Sequence, residues 1–215
     1  MPDFLTPFSE NDSAVAAALD DACAVLRRGG LVAYPSETVW GLAALPGHPA
    51  AVERLYAVKG RAAHRPVQVS CQDACAALEL AQPGAALLAL SALWPGPLTL
   101  VTPALPGTPL TLAPGGLVGL RVPSHPLALA LLRRCGGRLL TTSCNPSGQL
   151  PALTAAQARD MALADFVLPD GQENGAGEGP VGGLASTVVG LPGGAVLRSG
   201  PLDGAVAALL AGVHG

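Results

Sequence analysis

Small polar and cationic side chains recur in this sequence where short apolar segments end. They are Ser36 and Thr38, Lys59 and Arg61, Arg121, Ser143 and Asn145, Ser186 and Thr187, and Arg198. Hydroxyls and amides mixed with cations, without an evident pair of nucleophile and base, suit the binding and positioning of an anionic substrate. Phosphoryl and nucleotidyl transfer depend largely on such positioning and on charge stabilisation. We therefore expect a binding site for a phosphate-bearing substrate.

The triplet Lys59-Gly60-Arg61 is a candidate anion site. Lys59 is the only lysine among the 12 lysine and arginine residues, and the glycine allows a sharp turn between two cations. A second interpretation is structural, because basic residues followed by glycine commonly end a helix and interact favourably with its dipole. Taken alone, the triplet favours the helix end, although the two roles are compatible.

Signatures of several common enzyme classes are absent from the sequence. It contains no Walker A motif, no Gly-x-Gly-x-x-Gly after a strand, no Gly-x-Ser-x-Gly and no His-Glu-x-x-His. The four histidines stand singly, and Glu37 is the lone carboxylate of its loop. These observations argue against hydrolysis by a nucleophile and base or by paired carboxylates.

The segments that must position these groups alternate between helix and strand. Helices are predicted near 13–28, 49–59, 72–81, 83–93, 123–135, 154–163 and 202–213. Strands are predicted near 31–34, 65–69, 98–102, 117–122, 138–142, 166–168, 185–189 and 195–198. This alternation predicts the α/β class, with an open twisted mixed sheet and helices packed on its faces. Because no repeat or linker is evident, we expect a single domain over 1–215, with a core at about 13–200 and a C-terminal helix at about 202–213.

The composition of the chain limits which binding partners and which cellular compartment we expect. The formal net charge of −3 argues against a broad electropositive face for duplex nucleic acid. The five cysteines form no Cys-x-x-Cys and lack histidines at zinc spacing, so we expect reduced cysteines and no metal site. No signal peptide is recognisable, and the longest apolar run, 85–94, is too short to span a bilayer. We therefore expect a cytoplasmic protein with no membrane segment, and we treat the glycine-rich stretch 171–183 as a candidate lid.

The order of the motifs resembles that of the YrdC/TsaC family. The motifs are Tyr34-Pro-Ser-Glu-Thr-Val-Trp-Gly-Leu42, Lys59-Gly-Arg61, Trp94-Pro-Gly-Pro-Leu-Thr-Leu100, Leu120-Arg-Val-Pro-Ser-His-Pro126, Ser143-Cys-Asn-Pro-Ser-Gly148, Ser186-Thr-Val-Val189 and Arg198-Ser-Gly200. Each motif alone is weak evidence for this resemblance, but seven motifs in the same order are strong evidence. The likeness covers about 13–200, and the chain looks like the short, single-domain form with a YrdC-like fold.

Members of that family are threonylcarbamoyl-AMP synthases, or the matching module within larger carbamoyl-transfer proteins. The resemblance implies a nucleotidyltransferase that uses L-threonine, bicarbonate or CO₂, and ATP as substrates, with Mg²⁺ bound to the substrate. The threonine amine would capture CO₂ as a carbamate, whose oxygen attacks the α-phosphorus of ATP and displaces pyrophosphate. Partner proteins would then transfer the threonylcarbamoyl group to the adenosine beside the anticodon of tRNA.

The resemblance also implies roles for individual residues by motif position. Charge-stabilising catalytic roles fall to Lys59, Arg61, Ser143 and Asn145. ATP binding is implied for Lys59, Arg61, Asn145, Thr154 and Arg198. Threonine binding is implied for Ser36, Thr38, Arg121, Ser143 and Ser186. Arg121 is placed to bind the carboxylate, supported by Ser36 or Thr38 and by Ser186.

This chain departs from the family pattern at several positions near these motifs. Ser36 stands where the family usually has threonine and keeps the hydroxyl. Ala62 and Arg65 stand where proline and asparagine are frequent, and Ser70 occupies the place of a threonine-binding histidine in some members. Ligand contacts from 62–70 are therefore left out of the expected site.

Two other classes of function were weighed. A non-catalytic RNA-binding module is disfavoured by the net acidity and by an aromatic content of only 3%, although a weak RNA contact is left open. A carbamoyl-transfer module is disfavoured by the chain length and by the lack of zinc-binding and acylphosphatase-like segments.

Overall fold

The computed structural model describes residues 13–59, 67–169 and 181–213. Within them, nine strands form one mixed sheet. The strands are β1 Val32–Tyr34, β2 Gly41–Ala44, β3 Gln68–Cys71, β4 Leu98–Pro103, β5 Leu117–Arg121, β6 Arg138–Ser143, β7 Phe166–Val167, β8 Thr187–Gly190 and β9 Ala195–Arg198. Their order across the sheet is β7-β1-β2-β6-β3-β5-β4-β8-β9. Three pairs are parallel, β1–β7, β3–β5 and β4–β8, and the other five are antiparallel.

Helices connect and cover these strands. The α-helices are α1 Ser13–Arg27, α2 Pro49–Val58, α3 Ala74–Leu78, α4 Ala85–Ser91, α5 Pro126–Arg134, α6 Ala155–Asp160 and α7 Asp203–Val213, and a 3₁₀ helix spans Pro114–Gly116. No helix in the described part of the chain is both long and apolar enough to cross a membrane. The predicted α/β class with an open mixed sheet is confirmed.

Apolar side chains from the sheet form a core on each of its faces. Along β1, Val32 and Tyr34 pack with side chains of α1 and α5, whereas Ala33 belongs to the core that includes residues of α2, α3, α4, α6 and α7. This division follows from the alternation of side chains along a strand. Because the sheet is buried on both faces, its strands are short segments rich in alanine, leucine and valine.

The face that carries α1 and α5 continues beyond them as a polar surface. Ser70 in β3 pairs with Leu139 of the α1–α5 core on one side and with Arg121 on the other. Directly paired residues project to the same face of a sheet. This polar surface, called the floor below, comprises Gln68, Ser70, Thr99, Arg121 and Thr141.

A glycine allows β1 and β2 to meet beside this floor. Gly41 pairs with Tyr34 in β1 and with Ser143 in β6. A Cβ atom at Gly41 would lie 2.7 Å from ring atoms of Tyr34, closer than a real Cβ contact allows. The absence of a side chain at Gly41 therefore lets the Tyr34 ring lie against β2.

Two strand predictions differ from the structure. Strand β2 was not predicted, because its sequence Gly-Leu-Ala-Ala has weak strand propensity and follows a run of polar residues. The predicted strand at 65–69 begins instead at Gln68 and continues to Cys71.

The prediction that all five cysteines are reduced is wrong for two of them. Cys23 in α1 and Cys135 after α5 form a disulfide, with their Cα atoms 5.9 Å apart. The two residues are 112 positions apart in sequence, so only the packing of α1 against α5 brings them together. Cys71, Cys75 and Cys144 are free thiols.

Candidate active site

A cavity of about 370 Å³ opens above the floor. Its walls come from the loop after β1, from strands β3 to β6, and from the segment that includes β8 and β9. Six of the residues predicted from sequence to bind substrate line it: Ser36, Thr38, Arg121, Ser143, Ser186 and Arg198. Residues more than 160 positions apart in the sequence thus meet in one cavity, which supports the expectation of a convergent site.

Arg121 is the most constrained of these residues. Its side chain is 8% exposed, and its Nη2 donates to Glu37 Oε1 at 2.7 Å and to Thr38 Oγ1 at 2.9 Å. Glu37 is fixed in turn, because its Oε2 accepts from the backbone N–H of Ser124 at 3.2 Å. Arg121 Nε is buried and has no hydrogen-bond acceptor within the described residues. Since a buried donor without an acceptor is costly, this N–H favours a ligand oxygen.

The hydrogen bonds of Ser36 and Thr38 determine which of the two hydroxyls donates to the other. Ser36 Oγ donates to the carbonyl oxygen of Val39 at 2.7 Å. In the 2.9 Å contact between the two hydroxyls, Thr38 must therefore be the donor, because each hydroxyl has one proton. Thr38 Oγ1 also accepts from Arg121. At this wall, Thr38 can offer a ligand only a lone pair, while Arg121 offers a proton.

Lys59 joins two other predicted residues at the end of β6. Lys59 is the C-terminal cap of α2 and is 6% exposed. The helix therefore ends at Lys59, as the helix-end interpretation predicts, while Gly60 and Arg61 lie outside the described residues. Its Nζ donates to Ser143 Oγ at 3.0 Å, to the backbone carbonyl of Asn145 at 2.8 Å and to Asn145 Oδ1. The amide nitrogen of Asn145 donates to the carbonyls of Pro146 and Gln149, which fixes the loop. A buried ammonium is thereby held beside Ser143, which lines the cavity.

Arg198 and Ser186 form the opposite wall. Arg198 Nε donates to the Ser186 carbonyl at 3.0 Å, and its Nη2 donates to Ser186 Oγ at 2.9 Å. Because β9 lies at one edge of the sheet beside β8, this pair closes the cavity on that side. The last strand therefore delivers a cation to the site, as the sequence predicts.

Lys59 and Asn145 each contact Ser143 but do not themselves line the cavity. Three further sequence predictions do not reach the cavity or cannot be placed. Thr154 lies outside the cavity lining and caps α6, where its Oγ1 accepts from the backbone N–H of Gln157. Arg61 lies outside the described residues. Of the candidate lid at 171–183, only 181–183 is described, and there the N–H of Gly183 donates to the carbonyl of Thr38 at 2.8 Å.

Sequence reasoning missed part of the site. Glu37 was treated as an isolated loop carboxylate, and Gln68, Thr99 and Thr141 were treated only as strand residues, yet the first holds Arg121 and the other three line the cavity. A signal exists in the sequence, because polar residues alternate with apolar ones in these strands, as in Gln68-Val-Ser70.

Burial raises the pKa of two weakly acidic side chains near the site. Burial raises the pKa of the Cys144 thiol to about 11, although the nearby Lys59 charge acts in the opposite direction. Burial likewise raises the pKa of the Tyr34 phenol above its ordinary value. Because the thiolate is the reactive form of cysteine, Cys144 is not an activated nucleophile. The site is thus built for binding and for charge stabilisation.

Comparisons with known proteins agree with this geometry. A threonylcarbamoyl-AMP synthase of Halorhodospira halophila is 41% identical over 141 residues, which cover 64% of this chain and 74% of that protein. One from Rattus norvegicus is 35% identical over 202 residues, which cover 92% of this chain and 72% of that protein. The solved structure of P. abyssi Sua5 with L-threonine superposes with a TM-score of 0.74 at 31% identity and covers 87% of this chain. This chain spans only 56% of the length of that Sua5.

The match to a family model extends over most of the chain and includes the whole cavity. The model is that of the Sua5/YciO/YrdC family, which carries the description telomere recombination, and it matches residues 24–200. Every residue that lines the cavity falls within those limits. By sequence, fold and the composition of its cavity, the chain belongs to the Sua5/YciO/YrdC family.

Proposed function

We propose that this chain is a threonylcarbamoyl-AMP synthase, a nucleotidyltransferase that acts on L-threonine, bicarbonate or CO₂, and ATP. Relatives that are 41% and 35% identical carry that name, and a family structure was solved with L-threonine. The observation that carries the proposal is the convergence of the residues marked by the family motifs in one cavity, together with a buried arginine donor that has no acceptor in the described part of the chain.

The reaction requires little acid–base chemistry from the protein. The threonine amine adds to CO₂ and loses a proton to give a carbamate. A carbamate oxygen then attacks the α-phosphorus of ATP, and the bond to pyrophosphate breaks. The residues of the cavity orient the carbamate and balance the negative charge that develops on phosphate oxygens, which is where catalysis of nucleotidyl transfer mainly arises.

Arg121 binds the threonine carboxylate in this proposal. Its Nη2 is already engaged by Glu37 and Thr38, so the carboxylate is bound by the remaining N–H groups of the guanidinium. One of these, the Nε–H, is buried and has no acceptor among the described residues. Ser36 supports this arrangement by accepting from Thr38. A charge-assisted hydrogen bond of this kind is worth about 1.5–3 kcal/mol.

The triphosphate lies towards the other cations. Lys59 and Arg61 neutralise phosphate charge, and Ser143 and Asn145 complete that anion site, with Asn145 also holding the Lys59 ammonium. Arg198 approaches the nucleotide from β9. ATP binding by Thr154 stays a prediction, since its hydroxyl caps α6 in the structure.

Magnesium enters the proposal with the triphosphate. Within the described ranges, no group of three or more histidine, cysteine, aspartate or glutamate side chains is placed to hold a metal ion. The carboxylate of Glu37, beside the cavity, is already bound by Arg121 and by the Ser124 N–H. We therefore assign no reaction step to a metal held by protein side chains.

The product leaves for transfer to tRNA by partner proteins. We expect this transfer in the cytoplasm because tRNA is the acceptor, and the expectation does not rest on the cysteines, two of which are paired. We also keep the prediction of one domain over 1–215, and a weak contact with RNA stays a prediction.

Pyrophosphate release tests the proposed function. Purified full-length protein is incubated with ATP and Mg²⁺, and L-threonine and bicarbonate are each added or omitted. Release of pyrophosphate that depends on both threonine and bicarbonate supports the proposal. Threonine-independent ATP hydrolysis, or no release together with tight, salt-sensitive RNA binding, would contradict it.

A further inference from the structure

A chain of side-chain hydrogen bonds crosses the floor of the cavity, with Gln68 at its centre. Gln68 Nε2 donates to Ser70 Oγ at 3.0 Å and to Thr141 Oγ1 at 3.1 Å. Its Oε1 accepts from Thr99 Oγ1 at 2.9 Å. In this orientation of the side chain, both amide protons and the amide oxygen are engaged.

The orientation of this amide determines the direction of the next hydrogen bond. Thr99 uses its single hydroxyl proton on Gln68. In the 2.9 Å contact between Thr99 Oγ1 and Ser186 Oγ, Ser186 must therefore be the donor. If the amide pointed the other way, Thr99 would accept from Gln68 and could donate to Ser186, and the direction would reverse.

Ser186 consequently faces the cavity as a hydrogen-bond acceptor. Its proton is used on Thr99, and one of its lone pairs accepts from Arg198 Nη2 at 2.9 Å. One lone pair remains on a side chain that is 1% exposed and lines the cavity. A carboxylate has no proton to donate to that lone pair, whereas an amine or a hydroxyl does.

We propose that Gln68 is a positioning residue for the amino-acid substrate, because it holds Ser186 as the acceptor for an N–H or O–H donor of that substrate. The inference rests on the proposed function, since it takes L-threonine as the ligand. It divides recognition between two walls: Arg121 donates to the carboxylate, and Ser186 accepts from the amine or the hydroxyl. Ser186 therefore does not support carboxylate binding, which the family resemblance had implied.

Two substitutions interrupt this series of hydrogen bonds at different points. Gln68→Met removes the amide while keeping a side chain of similar length, and Thr99→Val removes the link to Ser186 with nearly the same shape. Gln82→Met is the matched control, because the Gln82 amide donates to the backbone carbonyl of Ala104, away from the cavity. If Gln68→Met failed to fold, Thr99→Val would carry the test.

Calorimetric titration of the full chain gives the readout. The ligands are L-threonine, 2-aminobutyrate, which lacks the hydroxyl, 3-hydroxybutyrate, which lacks the amine, and ATP. We expect both variants to bind L-threonine about tenfold more weakly, as for the loss of one oriented hydrogen bond, with ATP affinity unchanged. The analogue that lacks the donor bound by Ser186 should bind the variants almost as tightly as it binds wild-type protein. The other analogue should bind the variants about tenfold more weakly, as L-threonine does.

Each outcome distinguishes the two proposals. If wild-type protein binds L-threonine and neither variant changes its affinity, the role of Gln68 is wrong and the proposed function stands. Equal weakening of all four ligands indicates a general structural effect and also overturns the inference. If wild-type protein does not bind L-threonine at all, the proposed function itself fails.

Discussion

Replacing Lys59 by methionine should separate ATP binding from folding. Lys59 is 6% exposed, and its ammonium donates three hydrogen bonds to Ser143 and Asn145. An ammonium has three protons, so in this proposal a phosphate oxygen replaces one of these three acceptors when ATP binds. Loss of that charge-assisted hydrogen bond costs about 1.5–3 kcal/mol, or about tenfold to a hundredfold in ATP affinity. Stability should fall by only about 1–2 kcal/mol, because oxygens left without a donor are partly offset by removal of a buried charge.

Titration calorimetry with ATP and urea unfolding measure the two quantities separately. Arg54→Met is the control variant, because the Arg54 side chain is 49% exposed and pairs with Asp165 on the surface. We expect the control to bind ATP as wild-type protein does. Wild-type ATP affinity in Lys59→Met would refute the reasoning, since it would leave Lys59 as a residue that only fixes the loop after β6.

Three further predictions concern the cavity and its support. Arg121→Met should raise the KM for threonine about tenfold to a hundredfold with a smaller change in the KM for ATP; equal changes in steady-state kinetics would contradict a carboxylate role. Gly41→Ala should destabilise the protein by about 1–3 kcal/mol, because the added Cβ atom would lie too close to the Tyr34 ring. Thermal unfolding measures this effect, and an unchanged Tm would contradict it. Hydrogen bonding by Arg54 holds the pKa of the half-exposed Asp165 below its ordinary value. The ion pair therefore contributes about 1 kcal/mol to the free energy of unfolding above about pH 4, and this contribution is lost as the pH falls through the pKa of Asp165 in the folded protein. Asp165→Asn should therefore be less stable near pH 7 and converge with wild-type protein in acid, and a constant difference in urea midpoint across pH would argue against it.

The sequence predicts well where residue type and chain order carry the information. Lys59 lies more than 80 positions from Ser143 and Asn145. The order of the motifs nevertheless predicts that the three residues act together, and the structure joins them by hydrogen bonds. Arg121 and Arg198, which the motifs also single out, both line the cavity. Their roles towards threonine and ATP stay predictions.

What the sequence could not predict depends on strand pairing and helix packing. The floor forms because Gln68 lies opposite Thr141, a register set by the antiparallel pairing of β3 with β6. The Cys23–Cys135 disulfide likewise depends on α1 packing against α5 across 112 positions. Propensity and periodicity describe single segments, so they carry no information on either contact.

Mass spectrometry of the reaction with ¹³C-labelled bicarbonate tests the central claim most directly. Full-length protein is incubated with ATP, Mg²⁺, L-threonine and the labelled bicarbonate, and the adenylate product is identified. The account predicts threonylcarbamoyl-AMP that carries the ¹³C atom in its carbamoyl group, formed together with pyrophosphate. An adenylate without the label, such as threonyl-AMP, or the absence of any adenylate, would contradict it.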